Sequence, residues 1–259
     1  MSLSVQHFTR TYVGSGGSAF TAVADLSFEV SGGEIVGLIG PNGAGKTTTL
    51  RSMAGILRPT AGHISIDGHD IVDDAVAAKR VLAFMPDEPH LFEYLTVAEH
   101  LRLIARLFAV EDFEPRARAL LEELELTGKE RSLPGELSRG MRQKVVIACG
   151  LVRPASTLLF DEPLTGLDPV GIRRMRQTIV DRARAGACVL LSSHLLHLVE
   201  EVCTRVIIMD RGRKVADGTV AELASRADLQ AAGSNLEQIF LQVTGQNGDD
   251  RKVHSESES

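Results

Sequence analysis

One stretch of the chain combines residue types that bind phosphate. Residues 40–48 fit the pattern G-x-x-x-x-G-K-[ST], which is typical of phosphate-binding loops. Gly43 and Gly45 can adopt positive φ and have no Cβ to block an anion that approaches the backbone N–H groups. Lys46 would place a positive charge near the β- and γ-phosphates, and the Thr47 hydroxyl would bind Mg²⁺. The alternative is an ordinary glycine turn between a strand and a helix.

The loop has the neighbours that such a motif needs. Residues 34–39 form an apolar β-type run before it, and residues 47–54 have the pattern of a helix after it. A helix N-terminus directs unpaired N–H groups and the positive end of its dipole at an anion. The sequence therefore predicts a triphosphate site that uses the whole loop: Gly40, Pro41, Asn42, Gly43, Ala44, Gly45, Lys46, Thr47 and Thr48.

A second apolar strand ends in two carboxylates. Residues 157–160 are Thr-Leu-Leu-Phe, and Asp161 and Glu162 follow directly. Ligands of parallel sheets bind at the carboxyl ends of the strands, so Asp161 would lie beside the Mg²⁺ of a phosphate-loop site. Glu162 would orient and polarise the attacking water as general base, which favours a hydrolase. The alternative is a common Asp-Glu turn at a strand end.

His194 also follows an apolar strand. It comes after Leu-Leu-Ser-Ser at residues 190–193 and would donate to a γ-phosphate oxygen as negative charge develops there. The alternative is a histidine with a structural role only. Tyr12 lies just before a glycine-rich turn, and a single aromatic residue near a loop usually has a packing role.

The composition excludes several classes of protein. The 259 residues carry a formal net charge of −6, whereas general nucleic-acid binders usually have a basic excess. The three cysteines lie in apolar stretches without metal-like spacing, so we expect free thiols in a reducing compartment. The longest apolar run, residues 145–152, is far shorter than a membrane span, and the start lacks a signal-peptide pattern. At a membrane, another subunit would have to span the bilayer.

Strands and helices alternate along the chain, which predicts an α/β fold with a mostly parallel sheet. Residues 86–135 differ, because prolines open this segment and helical patterns follow at residues 96–109 and 113–126. We interpret the segment as a helical insert. Residues 246–259 are polar and lack aromatic residues, which predicts a disordered tail.

Two further helix starts carry capping residues. Asp168 precedes a proline at the first helical position, and Ser138 can cap a helix that runs to about residue 151. Because helix N-termini bind anions, Ser138 and Gly140 would form a second anion site.

Residues 137–143, Leu-Ser-Arg-Gly-Met-Arg-Gln, resemble the signature sequence L-S-G-G-Q of ABC-transporter ATPases. The resemblance covers nearly the whole chain and includes five motifs in the order that the family has. They are the Walker A loop, the signature, the Walker B strand with Glu162, the D-loop with Asp168 and the switch histidine His194. It implies a P-loop NTPase of the ABC-ATPase type, with a mostly parallel core sheet, an antiparallel β subdomain and a helical subdomain. One such domain would span residues 1–245.

The resemblance also implies how the protein works. Two copies, as a homodimer or as a pseudo-dimer with a second ABC ATPase subunit, would close on two ATP molecules and hydrolyse them with Mg²⁺. Tyr12 would stack on the adenine, and the nucleotide of the opposite copy would contact the signature residues Ser138, Arg139, Gly140 and Met141.

A separate integral membrane permease would hold the dimer at the cytoplasmic face of the cell membrane. Residues 236–240 are similar to the end of type-2, exporter-like subunits, which favours export. Apolar residues of the insert would contact the permease, although each could equally pack inside the insert: Leu91, Phe92, Tyr94 and Leu95.

Three positions depart from the family pattern. Arg139 replaces the first signature glycine and Met141 replaces the glutamine, so we expect a working anion site with altered affinity. Asp87 occupies the position of a glutamine that offers a neutral carbonyl to Mg²⁺ or to the attacking water. The Asp87 carboxylate would bind the metal through an additional water. The alternative is that Asp87 faces solvent and only the motion of its loop matters.

Other functions fit less well. A soluble ABC ATPase that acts on ribosomes or nucleic acid is the main alternative, but the ribosomal members carry two cassettes and the DNA-repair members a long coiled coil. A GTPase would need an Asn-Lys-x-Asp run, which this sequence lacks. A catalytically inactive regulatory subunit is disfavoured because Lys46, Asp161, Glu162 and His194 are all present.

Overall fold

The computed structural model describes residues 1–14, 16–226 and 235–245, which form two sheets and a set of helices. The predicted tail, residues 246–259, lies outside the described residues. The strands are β1 Ser2–Val13, β2 Ala19–Ser31, β3 Ile35–Ile39, β4 Ala61–Ile66, β5 His69–Asp70, β6 Leu82–Met85, β7 Thr157–Asp161, β8 Cys188–Ser192, β9 Arg205–Asp210 and β10 Arg213–Gly218. The helices are α1 Lys46–Met53, α2 Ala75–Val81, α3 Val97–Leu107, α4 Phe113–Glu123, α5 Arg139–Leu151, α6 Pro169–Arg184, α7 Leu196–Val202, α8 Val220–Arg226 and α9 Leu236–Val243.

The larger sheet has the strand order β10-β9-β3-β8-β7-β6, and only β10 is antiparallel to its neighbour. Every residue of β3, β7 and β8 is buried, which explains why these strands are continuous apolar runs. Their carboxyl ends lie side by side, and Asp161 and Ser192 are direct partners in the β7–β8 ladder. The chain therefore leaves three adjacent strands at one edge of the sheet.

The smaller sheet is antiparallel, with the order β2-β1-β4-β5. One hydrophobic core joins this sheet to the parallel sheet and includes Leu50 and Met53 of α1. A second core joins the parallel sheet to α3 through α7. The predicted α/β fold with a mostly parallel sheet and an antiparallel β subdomain is confirmed.

The helical insert lies between β6 and β7. Thr96 and Glu99 form the expected capping box at the start of α3. Both α3 and α4 end a little earlier than predicted, because Ala109 (φ 50°) and Glu125 (φ 57°) adopt the left-handed conformation. The insert is connected to α6 through Glu123, which accepts hydrogen bonds from the Thr178 hydroxyl at 2.6 Å and from Arg182 Nη2 at 2.9 Å.

Each of the three cysteines is a free thiol, as the sequence predicted. Burial raises the pKa of Cys188 to about 12, so this thiol is protonated at neutral pH. No helix in the described ranges has both the length and the apolar character needed to cross a membrane.

Gly37, in the middle of β3, allows α7 to pack closely on the parallel sheet. A Cβ at this position would lie 2.6 Å from Val199 Cγ1 and 3.0 Å from Cys203 Sγ. We expect Gly37→Ala to destabilise the protein by about 1–3 kcal/mol, because neither neighbour can move freely in a close-packed core. Gly135→Ala is the matched control, since a Cβ there meets no atom within 4 Å. Urea unfolding of both variants measures the effect, and equal midpoints would show that α7 can shift without cost.

Candidate functional site

A cavity of about 470 Å³ lies at the carboxyl edge of the parallel sheet. Most of the predicted phosphate loop lines it, and it also contains several residues from distant parts of the sequence: Tyr12, Phe20, Asp87, Glu162, Thr165 and His194. The structure thus brings together the loop and four of the other predicted site residues. Thr165 contributes a buried hydroxyl for which the described residues provide no hydrogen-bond partner, so a polar ligand in the cavity could satisfy it.

The loop has the backbone conformation that the sequence predicted. Gly43 (φ 82°) and Gly45 (φ 100°) are both in the left-handed region. A Cβ on Gly45 would lie 2.6 Å from the carbonyl oxygen of Ala22, so a larger residue does not fit. No side chain caps the start of α1, whose first residues line the cavity. The unpaired N–H groups of this helix start therefore remain for an anion.

Lys46 is the cation of the cavity. Its ammonium group donates to the carbonyl oxygens of Gly40 at 2.7 Å and Pro41 at 3.2 Å. An ammonium group has three N–H donors, so these two contacts leave capacity for a phosphate oxygen. Burial lowers the pKa of Lys46, and the negative charges of Glu162 and Asp161 oppose this effect. The Lys46 charge is thus held between the loop and two carboxylates.

Asp161 is fixed by two hydroxyl groups. Its Oδ1 accepts a hydrogen bond from Ser192 Oγ at 2.6 Å and from Thr47 Oγ1 at 3.3 Å. The predicted metal ligands Thr47 and Asp161 are therefore adjacent, and both offer the oxygen atoms that Mg²⁺ prefers. Mg²⁺ in nucleotide sites takes one or two protein ligands together with phosphate and water oxygens, so this pair fits such an ion.

Glu162 and His194 contact each other at the cavity. Glu162 Oε2 lies 2.8 Å from His194 Nδ1 and accepts a hydrogen bond from the His194 backbone N–H at 3.3 Å. Because a carboxylate only accepts, Nδ1 carries a proton and Nε2 is the ring atom left for another partner. Glu162 has the unusual φ of 50°, and its backbone N–H donates to Ser192 Oγ at 3.1 Å. Such local strain is typical of functional positions.

Tyr12 lies at the rim of the cavity, as an aromatic platform would require. Phe20 is its direct partner across the β1–β2 hairpin and is 65% exposed. The Tyr12 hydroxyl is 3.4 Å from Thr48 Oγ1, and the guanidinium of Arg10 lies 4.7 Å from the centre of the Tyr12 ring. Two aromatic side chains therefore border the end of the cavity near the loop helix.

The signature residues do not line this cavity. Ser138 caps α5 as predicted, accepting a hydrogen bond from the N–H of Met141 at 3.2 Å, and both Ser138 and Arg139 are exposed. Asp168 caps α6 by accepting from the N–H of Gly171 at 3.0 Å. The second predicted anion site thus lies outside the cavity that contains the phosphate loop of its own chain.

Sequence reasoning missed several residues that support the site. Ser192 holds the Asp161 carboxylate and the backbone N–H of Glu162 in place, and its only signal was its position as the last residue of an apolar strand. Phe20 could be found from its position opposite Tyr12, given the correct hairpin register. Gln143 is 2% exposed and donates to the carbonyl oxygen of Pro86 at 3.0 Å, which links α5 to the Asp87 loop.

The sequence matches a known family. Residues 23–165 match the family described as "ABC transporter". The chain is 34% identical to the ABC-type transporter ATP-binding protein EcsA of Bacillus subtilis, over 93% of this chain and 96% of that protein. It is 36% identical to the SkfA peptide export ATP-binding protein SkfE of the same species, over 87% of this chain and 92% of that protein.

Solved structures show the same fold. The structure of an ATP-binding subunit of an ABC transporter is similar with a TM-score of 0.88 and 34% identity, over 94% of this chain and all of that chain. A bacterial ABC transporter cassette that was solved as a dimer has a TM-score of 0.78 and 25% identity, over 84% of this chain and 98% of that chain.

The contacts of Ser192 predict a measurable loss of stability when its hydroxyl is removed. Ser192→Ala should lower the free energy of unfolding by about 1–3 kcal/mol, because buried Asp161 loses a donor and the Glu162 N–H loses an acceptor. Ser4→Ala removes only two exposed hydroxyl contacts, with Glu29 and Gln6, and should stay within about 0.5 kcal/mol of the wild type. Urea unfolding compares the two variants. Equal stability of both would mean that Ser192 does not hold Asp161 and the Glu162 backbone in place.

Proposed function

Because the chain belongs to the family of ABC transporter ATP-binding proteins, which are ATPases, we propose that it powers transport through a separate membrane permease. One observation carries the proposal: the phosphate loop shares its cavity with Glu162 and His194, while Thr47 contacts Asp161. ATP hydrolysis needs such a set of groups, namely a loop for the phosphates, oxygen ligands for a metal and a base for water.

Thr47 and Asp161 would hold Mg²⁺ together with the phosphates. Bound there, the ion would neutralise charge on the β- and γ-phosphate oxygens. The Asp161 carboxylate is held next to Thr47 by its hydrogen bond from Ser192, where it would bind the metal. Asp87 lies at the same cavity and is a further metal candidate.

Glu162 would be the general base. Its Oε2 is held by His194, so the carboxylate has a fixed orientation, from which it would accept a proton from a water near the terminal phosphate. His194 would use Nε2 to contact a γ-phosphate oxygen while Nδ1 remains bonded to Glu162. Lys46 would bind the β- and γ-phosphates, and Tyr12 with Phe20 would form the adenine platform.

Two copies would be needed for a complete site. The signature residues, Ser138 to Met141, lie outside the cavity of their own chain and expose a capped helix start. A head-to-tail pair would place this helix start against the nucleotide of the opposite copy. A similar cassette was solved as a dimer, which supports the pairing of two copies. The second copy could be identical or a related ABC ATPase subunit.

The insert would contact the permease. Phe92 is 63% exposed and Tyr94 is 88% exposed, whereas Leu91 packs against the core. Binding there would keep the subunit at the cytoplasmic face of the membrane. Residues 1–245 would form the ABC ATPase domain, with residues 86–135 as its helical subdomain. Export is supported by the name of the peptide-export relative and by the exporter-like residues 236–240.

Glu162→Gln tests the general base. The variant should bind ATP and accumulate an ATP-bound dimer, while its ATPase rate falls by about 100-fold or more, because the amide cannot take a proton from water. Phosphate release and sedimentation in ATP and Mg²⁺ measure the two effects. Lys46→Ala is the contrasting variant and should lose nucleotide binding itself. An ATPase rate of Glu162→Gln within about twofold of the wild type would contradict the assignment.

Phe92→Ser with Tyr94→Ser tests the permease surface. The tagged wild-type chain, purified from detergent-solubilised membranes, should retain an integral membrane protein. The amount of this protein that co-purifies with the double variant should be about tenfold lower. Val13→Ser is the control, because Val13 is equally apolar and 76% exposed but belongs to β1. Recovery of ribosomes or nucleic acid in place of a membrane protein would favour the soluble alternative.

A further inference from the structure

Two residues that depart from the family pattern contact each other. Arg139 Nη2 lies 3.8 Å from Asp87 Oδ1, although the two residues belong to different segments of the chain. Arg139 is the first residue of α5, directly after the capping residue Ser138. Asp87 lines the cavity that contains the phosphate loop. The ion pair therefore joins the exposed anion site of a chain to the nucleotide cavity of the same chain.

The start of α5 is also packed against both loops that border the cavity. Gln143 is buried and donates to the carbonyl oxygen of Pro86, next to Asp87. A Cβ on Gly140 would lie 2.7 Å from the carbonyl oxygen of Gly166, which belongs to the turn after Glu162. The first contact involves a buried side chain, and the second is a close approach of two backbone segments. They fix α5 relative to the cavity, so the Arg139 side chain is the part of this contact that can move.

The charge of Arg139 compensates Asp87. Burial raises the pKa of Asp87, the charge of Arg139 opposes this effect, and the nearby charge of Asp161 adds to it. Arg139 is 60% exposed and Asp87 is 43% exposed. An ion pair this exposed is weak, and a stronger anion near the helix start can replace Asp87 as the partner of Arg139.

We propose that Arg139 is a positioning residue for Asp87, and that their ion pair opens when a phosphate group binds at the start of α5. The inference rests on the proposed function, because that phosphate belongs to ATP in the opposite copy. Arg139 then turns to the phosphate, and the Asp87 carboxylate is released toward the metal end of its own cavity. ATP in one site thereby prepares the other site of the dimer.

A double-mutant cycle tests the linkage. All variants are made in the full chain with Glu162→Gln, and sedimentation measures the ATP concentration that gives half-maximal dimer, with EDTA present so that metal binding does not contribute. Asp87→Asn should lower this concentration by about threefold, because Arg139 no longer has to leave a partner, and the scale is that of a partly exposed ion pair. Arg139→Gln should raise it. In the Arg139→Gln chain, Asp87→Asn should have no effect.

Arg142→Gln is the matched control. Arg142 lies in the same turn of α5, carries the same charge and donates to the Leu137 carbonyl oxygen at 2.8 Å, and Asp87 is not its partner. Asp87→Asn should therefore keep its threefold effect in the Arg142→Gln chain.

The outcomes separate the two proposals. An effect of Asp87→Asn that persists without Arg139 would overturn the linkage, since the carboxylate would then act directly on the nucleotide. A chain with Glu162→Gln that forms no dimer at any ATP concentration in Mg²⁺ would overturn the proposed function, and the linkage with it. When Mg²⁺ replaces EDTA, Asp87→Asn should lower the ATP concentration for half-maximal dimer by less than threefold. An unchanged threefold decrease would exclude a role of Asp87 at the metal.

Discussion

A buried cation between carbonyl groups and carboxylates holds the site together. Lys46 is 8% exposed and contacts two carbonyl oxygens of its own loop. Without this cation, Glu162 and Asp161 would repel both each other and any phosphate that entered the cavity. Lys46 offsets only one of these two negative charges. Binding of a polyanion in this small volume therefore also depends on the unpaired N–H groups at the start of α1.

The order of the strands delivers these groups to the same place. β3, β8 and β7 are neighbours, and each ends in a segment that carries part of the site. This much was predictable, because the carboxyl ends of parallel strands meet at one edge and each apolar run was followed by polar residues. The caps at Ser138 and Asp168 were also predictable, since a cap depends on residues only three positions apart.

Contacts between distant segments could not be predicted from the sequence. Phe20 meets Tyr12 because of the register of the β1–β2 hairpin, which contains irregularities that no local pattern specifies. The sequence left open whether Asp87 faces solvent or the metal. In the structure, Asp87 lies at the rim of the cavity, where it is partly exposed to solvent and paired with Arg139. That outcome depends on how α5 packs on the loop, through the buried Gln143.

The same packing holds the start of α5 outside the cavity of its own chain. For the Ser138 helix start to reach the nucleotide of its own chain, α5 would have to leave Gly166 and break the buried contact between Gln143 and Pro86. Unsatisfied buried groups of this kind cost about 1–3 kcal/mol each, whereas the exposed Arg139–Asp87 pair costs about 1 kcal/mol or less to open. Opening the ion pair therefore costs less than moving the helix, and in the proposed dimer the signature residues would meet the nucleotide of the second copy.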